Sequence, residues 1–252
     1  MKSRLQFSLA LITSSPYFPR VVKPLAALVE EIWQHSMPVP EGLPADLKTG
    51  CLNIDFADYQ QDAWQYLSPL ELERAQCLHN KNDVATFVLV HAFLRLLLSQ
   101  RLKMQLPDVE FEAGVHGKPK LVSANMQLHF NISYRRGIFA IAIGETPVGI
   151  DIEIHQDDID GAGIAERLFA AEEKHALQLI TEQQEAKYLF FSIWSRKEAV
   201  VKLFGRSLDD FSQFNVHETH SNIKNSSWSD ENYCCFSLPA PICHSLAMAV
   251  CL

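Results

Sequence analysis

The order of apolar and polar positions divides the chain into strands and helices. The most apolar stretch, NDVATFVLVHAFLRLLLSQRL from Asn82 to Leu102, is nonpolar almost all round, which predicts a helix enclosed by its neighbours. His91 and Arg95 lie one turn apart on it. The histidine reads as a structural hydrogen-bonder, whereas an arginine in so apolar a helix needs an anionic partner. Downstream the spacing changes to that of strands: VEFEA, LHFNIS, GIFAIAI and VGIDIEI, with turns at Gly117-Lys118-Pro119 and Arg136-Gly137. GIFAIAI is apolar on both faces and predicts a central strand. Residues 161 to 191 return to helical spacing as GIAERLF and AAEEKHALQLI. IWSRKEAVVKLFGRSL, Ile193 to Leu208, then predicts a short amphipathic helix ended by Gly205, a residue that tolerates positive φ at a C-cap. FSQFNVHE, YCCFSLP and HSLAMAVCL predict strands around the polar turn SNIKNSSWSDEN.

The pattern ahead of Asn82 is weaker. Leu5 to Ile12 predicts a strand, Pro24 to Gln34 a helix, Pro38 to Pro44 a loop, and CLNIDFADY a half-buried strand. Ser68-Pro69 with Glu71 behind them predicts a helix start, with Ser68 as N-cap. Each half of the chain thus carries a long helix and about three strands. The expectation is an α+β fold made of two similar halves related by a pseudo-twofold duplication. The halves are 1–148, with a variable extension over 1–48, and 149–252, meeting near Pro147 to Gly149.

Composition narrows the class. A 252-residue chain that is 48% hydrophobic can build a sizeable core. A net charge of -8 argues against a general nucleic-acid binder, whose phosphate contacts need a basic surface. The cysteines form no CxxC pair, and four crowd the apolar C-terminal end, which predicts buried reduced thiols rather than disulfides or zinc. The N-terminal apolar run is short and broken, and no stretch is read as membrane-spanning. A soluble, cytoplasmic monomer is expected.

Two segments about forty residues apart carry candidate chemistry. In the strand VGIDIEI, Asp151 and Glu153 project from one face while Ile150 and Ile152 pack the other way. Paired carboxylates repel unless a cation lies between them, and a site without a His or Cys ligand favours a hard ion, Mg²⁺ with Mn²⁺ as the alternative. In WSRKEAVVK, residues four apart share a face, so Trp194, Glu198 and Lys202 form a stripe with Lys197 and Val201 beside it. If this helix packs over the strand end, Glu198 supplies a third carboxylate. Either segment alone is an ordinary solvated edge. Together they suggest a metal site handling a phosphorylated substrate.

PVGIDIE paired with WSRKEAVVK resembles the signature of the surfactin-type 4'-phosphopantetheinyl transferases. The likeness extends to GKP (Gly117 to Pro119), FNIS (Phe130 to Ser133), RLFAAEE (Arg167 to Glu173) and the closing MAVC, over roughly residues 50 to 252. It implies a Mg²⁺-dependent transfer of the 4'-phosphopantetheine arm of coenzyme A to a serine of an apo acyl, peptidyl or polyketide carrier protein, releasing 3',5'-ADP. Asp151, Glu153 and Glu198 would then be the metal ligands. Lys202 would lie against the phosphates with Lys197 nearby, and Glu173 would be the candidate general base, directly or through water. Lys118 and Ser133, with Lys81 and Arg95 less directly, match positions holding the nucleotide phosphates. Two positions depart from the family pattern. Tyr134-Arg135 replaces a His-Ser after FNIS, so Arg135 or Arg136 is expected to restore the lost positive charge. Thr86 stands where an arginine is common. These departures leave open a catalytically weakened member that only binds coenzyme A or carrier. A nucleotide hydrolase is disfavoured, because no GxxxxGK[ST] loop is present.

Overall fold

Two three-stranded antiparallel sheets, each served by one 22-residue helix, frame the computed structural model, which describes residues 24–34, 48–53, 60–114, 118–122, 128–135, 138–217 and 232–252. The first sheet joins β1 (Lys48–Asn53), β4 (His129–Arg135) and β5 (Ile138–Gly144) in the order β1-β5-β4. The second joins β6 (Val148–Ile154), β7 (Tyr233–Leu238) and β8 (His244–Cys251) in the order β6-β8-β7. In both, the last strand in sequence sits at the centre. Every residue of β5 is buried, as its two apolar faces require. A small hairpin of β2 (Phe111–Ala113) and β3 (Pro119–Leu121) stands apart from the sheets.

The helices are α1 (Leu25–Gln34), α2 (Gln60–Ala63), α3 (Pro69–Gln76) and α4 (Lys81–Leu102), then α5 (Gly161–Leu168), α6 (Ala171–Gln178) and α7 (Gln183–Phe204). Ser68 caps α3 in a capping box: its hydroxyl accepts from Glu71 N at 3.3 Å, and the Glu71 carboxylate accepts from Ser68 N at 2.8 Å. α4 is long and apolar enough to cross a membrane by length and composition, contrary to the sequence reading. It is instead buried in the protein's own core, with Phe87, Phe93 and Leu97 almost fully enclosed. Its lack of a polar face has a local cause: it is covered by α1, α2, α3 and β4.

The helix expected over Ile193–Leu208 begins ten residues earlier and stops at Phe204, with Gly205 in the left-handed region at φ 62°. Its first turns merge with what reads in the sequence as a separate helix. FSQFNVHE is not a strand: Leu208–Gln213 forms a 3-10 turn. Its backbone curls because the Phe211 and Phe214 carbonyls both accept from Lys197 Nζ, at 2.6 Å each. The predicted half-buried strand starts earlier, at Lys48, and pairs with β5. Of the GKP turn, Gly117 lies outside the described residues and Pro119 opens β3, which pairs antiparallel with β2. Cys234, Cys235 and Cys251 are buried, but Cys77 and Cys243 are exposed. The strand over Leu5–Ile12, the loop Pro38–Pro44, the Arg136-Gly137 turn and most of the polar turn after residue 220 lie outside the described residues.

A shared core joins the sheets: Ile138, Ala140 and Ala142 of β5 pack with Val148, Ile150 and Ile152 of β6 and with Met248 of β8. Along the same seam β4 lies beside β6. Asn131 Oδ1 accepts from Ile150 N at 2.7 Å, Ser133 faces Asp151, and Arg135 faces Glu153. The residue numbers climb together on both strands, so they run in the same sense.

Candidate active site

The alternation of β6 sends Ile150 and Ile152 into the shared core and leaves Asp151 and Glu153 on the opposite face, where they are only 2% and 5% exposed. Two buried carboxylates are costly without compensation. The first comes from β4: Ser133 Oγ donates to Asp151 Oδ1 at 2.8 Å, and Arg135 Nη2 lies 3.3 Å from Glu153 Oε1. The second comes from α7. Lys202 Nζ donates to Asp151 Oδ1 at 2.6 Å and to Ser133 Oγ at 3.1 Å.

Gly149 makes that approach close. A Cβ built there would stand 2.0 Å from Ala199 O and 2.5 Å from Leu203 N, so only glycine lets β6 meet the helix backbone. One turn before Lys202, Glu198 comes into the field of the same groups. Burial, and after it Asp151, raise its pKa to about 7 against the opposing effect of Lys202. Burial and then Asp151 also raise the pKa of Glu153, with Arg135 pulling the other way. For Lys202, burial disfavours the ammonium, but Asp151, Glu198 and Glu153 outweigh it and raise the pKa. Three acids from two distant segments therefore share one electrostatic site with Lys202, Arg135 and Ser133.

This donor set suits a hard cation. It is all oxygen, Asp151 raises the pKa of both Glu153 and Glu198, and the buried Asp151 Oδ2 has no hydrogen-bond partner. Among the described residues no three acidic, His or Cys side chains are gathered into a ready-made metal cage. Lys202 and Arg135 instead supply the positive charge.

Other residues expected at the site are elsewhere. Glu173 and Lys197 are fully buried and paired with each other at 2.8 Å. Glu173 also accepts from Ala170 N at 2.8 Å and from Val216 N at 2.7 Å, so both its oxygens are engaged. Lys197 lies one residue from Glu198 but a hundred degrees round the helix, so it faces the C-terminal core among Phe169, Phe211 and Phe214. Burial lowers its pKa, and Glu173 opposes that.

Arg95 is likewise engaged within the protein. Its guanidinium donates to Tyr66 O, Val109 O and Leu106 O at 2.8, 2.7 and 2.6 Å, with Glu71 at 3.6 Å as the anionic partner the sequence required. His91 Nδ1 lies 3.0 Å from the same carboxylate, in the structural role read for it. Thr86 is buried and bonds to Asn82 O.

Lys118 reaches the last turn of α7, donating to Leu203 O at 3.2 Å and to Val148 O at 3.0 Å, and burial lowers its pKa to about 8. It borders a cleft of about 370 Å³ lined also by Lys120, His129, Phe130, Pro147 and Phe204. Tyr134 is half-buried, and its pKa is raised by burial, with Arg74 and Lys202 opposing and Asp83 adding to the rise. That reach to Asp83 puts the first turn of α4, where Lys81 is exposed, on this side of the molecule. A larger groove of about 870 Å³ opens between the loop after β6, α6 and the first turns of α7, and none of the three carboxylates lines it. Two contributors escaped the sequence reading. Gly149 was visible only as one glycine in an apolar strand, and Asn131 as one polar residue within FNIS.

Fold and site together define an α+β protein with a buried acid–lysine cluster at the seam of two similar sheets. A family model described as the 4'-phosphopantetheinyl transferase superfamily matches residues 147–251. The chain is 36% identical over 127 residues to the 4'-phosphopantetheinyl transferase psf-1 of Bacillus pumilus, covering 50% of this chain and 52% of that one. It is 30% identical over 157 residues to ffp of Bacillus subtilis, covering 61% and 68%, and 26% identical over 187 residues to Sfp of Bacillus subtilis strain 168, covering 74% and 82%. The match thus spans about half the length of the first relative and more than two thirds of the other two. The chain belongs to the surfactin-type 4'-phosphopantetheinyl transferases, a family of enzymes.

Proposed function

We propose that the protein moves the 4'-phosphopantetheine arm of coenzyme A onto a serine of an apo carrier protein, with Mg²⁺ held by Asp151, Glu153 and Glu198. The observation that carries this reading is the convergence of those three acids with Lys202 at one seam, on a chain of this family. The metal would supply charge stabilisation at the pyrophosphate. Lys202, already oriented by Ser133, lies where it can meet charge growing on the leaving phosphate. The cleft beside Lys118 and Lys120 is the proposed seat of the nucleotide, and Ser133, Tyr134, Arg135 and Lys81 are proposed as further contacts to its phosphates. The serine oxygen bonds to the β-phosphorus, and the bond from that phosphorus to the bridging oxygen breaks. 3',5'-ADP leaves with the electron pair. The serine proton passes to water, because Glu173 is sealed in the core.

We read the matching strand orders and paired 22-residue helices as an internal duplication, with halves 1–148 and 149–252 and the site between them. The protein is taken as a cytoplasmic monomer. Intact-mass analysis of an apo carrier domain incubated with protein, coenzyme A and Mg²⁺ tests the reaction. The arm should add to the carrier with the wild type and not with Asp151→Ala, whose fold should be retained by circular dichroism. Coenzyme A breakdown without a carrier, or binding without added mass, overturns the reading.

A further inference from the structure

We propose that Arg135 is a latch between metal and coenzyme A: it holds Glu153 while neither is bound and turns to the substrate phosphates as Glu153 is given over to the metal. The inference rests on the reading of Asp151, Glu153 and Glu198 as metal-binding carboxylates.

The geometry has three parts. Glu153 is 5% exposed and has an ion-pair partner in Arg135 at 3.3 Å. Arg135 is built to let go, since 54% of its side chain faces solvent and it can swing without unpacking the core. Asp151 is only half engaged: Lys202 and Ser133 share Oδ1, and the buried Oδ2 is unpartnered. The site therefore leaves the buried Asp151 Oδ2 open and sets a side-chain cation against Glu153 Oε1. The same lone pairs cannot serve a guanidinium and a metal at full strength.

Charge bookkeeping gives the direction. With all three carboxylates ionised, they sum with Lys202 and Arg135 to -1, so a divalent ion entering alone meets two resident cations. A pyrophosphate entering alone meets three carboxylates. When both enter, Arg135 leaves Glu153 for phosphate, and each ligand removes the obstacle to the other. Binding should be cooperative and the coupling reciprocal. Arginine suits the exchange because its planar fork pairs equally well with carboxylate and phosphate.

The test uses the full-length chain and Mn²⁺, whose free ion is counted by electron paramagnetic resonance, with coenzyme A affinity measured separately by calorimetry in chelator. Arg135→Ala should bind Mn²⁺ alone about fivefold more tightly than wild type, at the low end of ordinary coupling. It should bind coenzyme A more weakly without metal, and the gain in Mn²⁺ affinity on adding coenzyme A should shrink. Arg135→Lys keeps the charge without the fork and should fall between, which carries the test if the alanine variant does not fold. Mn²⁺ affinity that is unchanged or weaker in both variants overturns the latch. Wild type that binds no Mn²⁺ with or without coenzyme A overturns the metal reading beneath it.

Discussion

At the scale of single residues, the two most deeply buried charges near the site serve packing. Glu173 and Lys197 sit at the ends of one ion pair, and their remaining bonds go to the backbone at Ala170 and at Phe211–Val216. A sequence motif records that an acid and a lysine are present, not the direction in which a helix turns them. Removing one partner strands the other charge in a dry core, which typically costs about 3–5 kcal/mol. Glu173→Ala should therefore lower the unfolding free energy by that order in denaturant titration. Adding Lys197→Met should recover part of the loss. A residue acting as the base would instead cost turnover at unchanged stability. Arg95 repeats the lesson: the sequence required an anion for it, and Glu71 provides one, but three backbone carbonyls take the rest of the guanidinium.

At the scale of elements, the site depends on how closely α7 lies on β6. A strand and a helix normally pack through their side chains; here backbone meets backbone at Gly149. Gly149→Ala would drive a methyl group into Ala199 O, and overpacking of this kind costs roughly 1–3 kcal/mol, or more where only backbone can yield. The shift should lift Glu198 and Lys202 away from Asp151. The expected outcome is a lower melting temperature together with Mn²⁺ binding weakened at least tenfold. Weakened stability with intact Mn²⁺ affinity would show that this contact is not what positions the acids. The start of α7 is hard to read in the sequence because Gln183 to Glu185 are polar and exposed, whereas its end is legible because Gly205 adopts a conformation that few other residues tolerate.

At the scale of the whole molecule, the hairpin of the first half is tied to the second through Lys118, whose ammonium lies against the last turn of α7 and the first residue of β6. Its folded pKa of about 8 is below the ordinary lysine value of 10.5, because burial disfavours the charge. Below pH 8 the folded protein bears that cost in full. Between about 8 and 10.5 the unfolded chain still holds a proton that the folded one has lost, so this group adds stability as pH rises. Wild-type stability measured relative to Lys118→Met should therefore climb across that window and level off on either side. A flat difference would mean that the ammonium is not buried in solution.

The sequence by itself determined the strands that are apolar on both faces, the capped starts and glycine stops of helices, and the presence of three acids and a lysine at family spacing. Each of these follows from local chemistry: periodicity, φ preference and side-chain type. Only the tertiary structure decided which charged groups meet. Asp151 gains Lys202 and Ser133, Glu153 gains Arg135, and Lys197 and Glu173 turn to each other. Pairing of buried charge depends on distances between segments far apart in the chain, and those are set by the packing of β4, β6 and α7 along one seam.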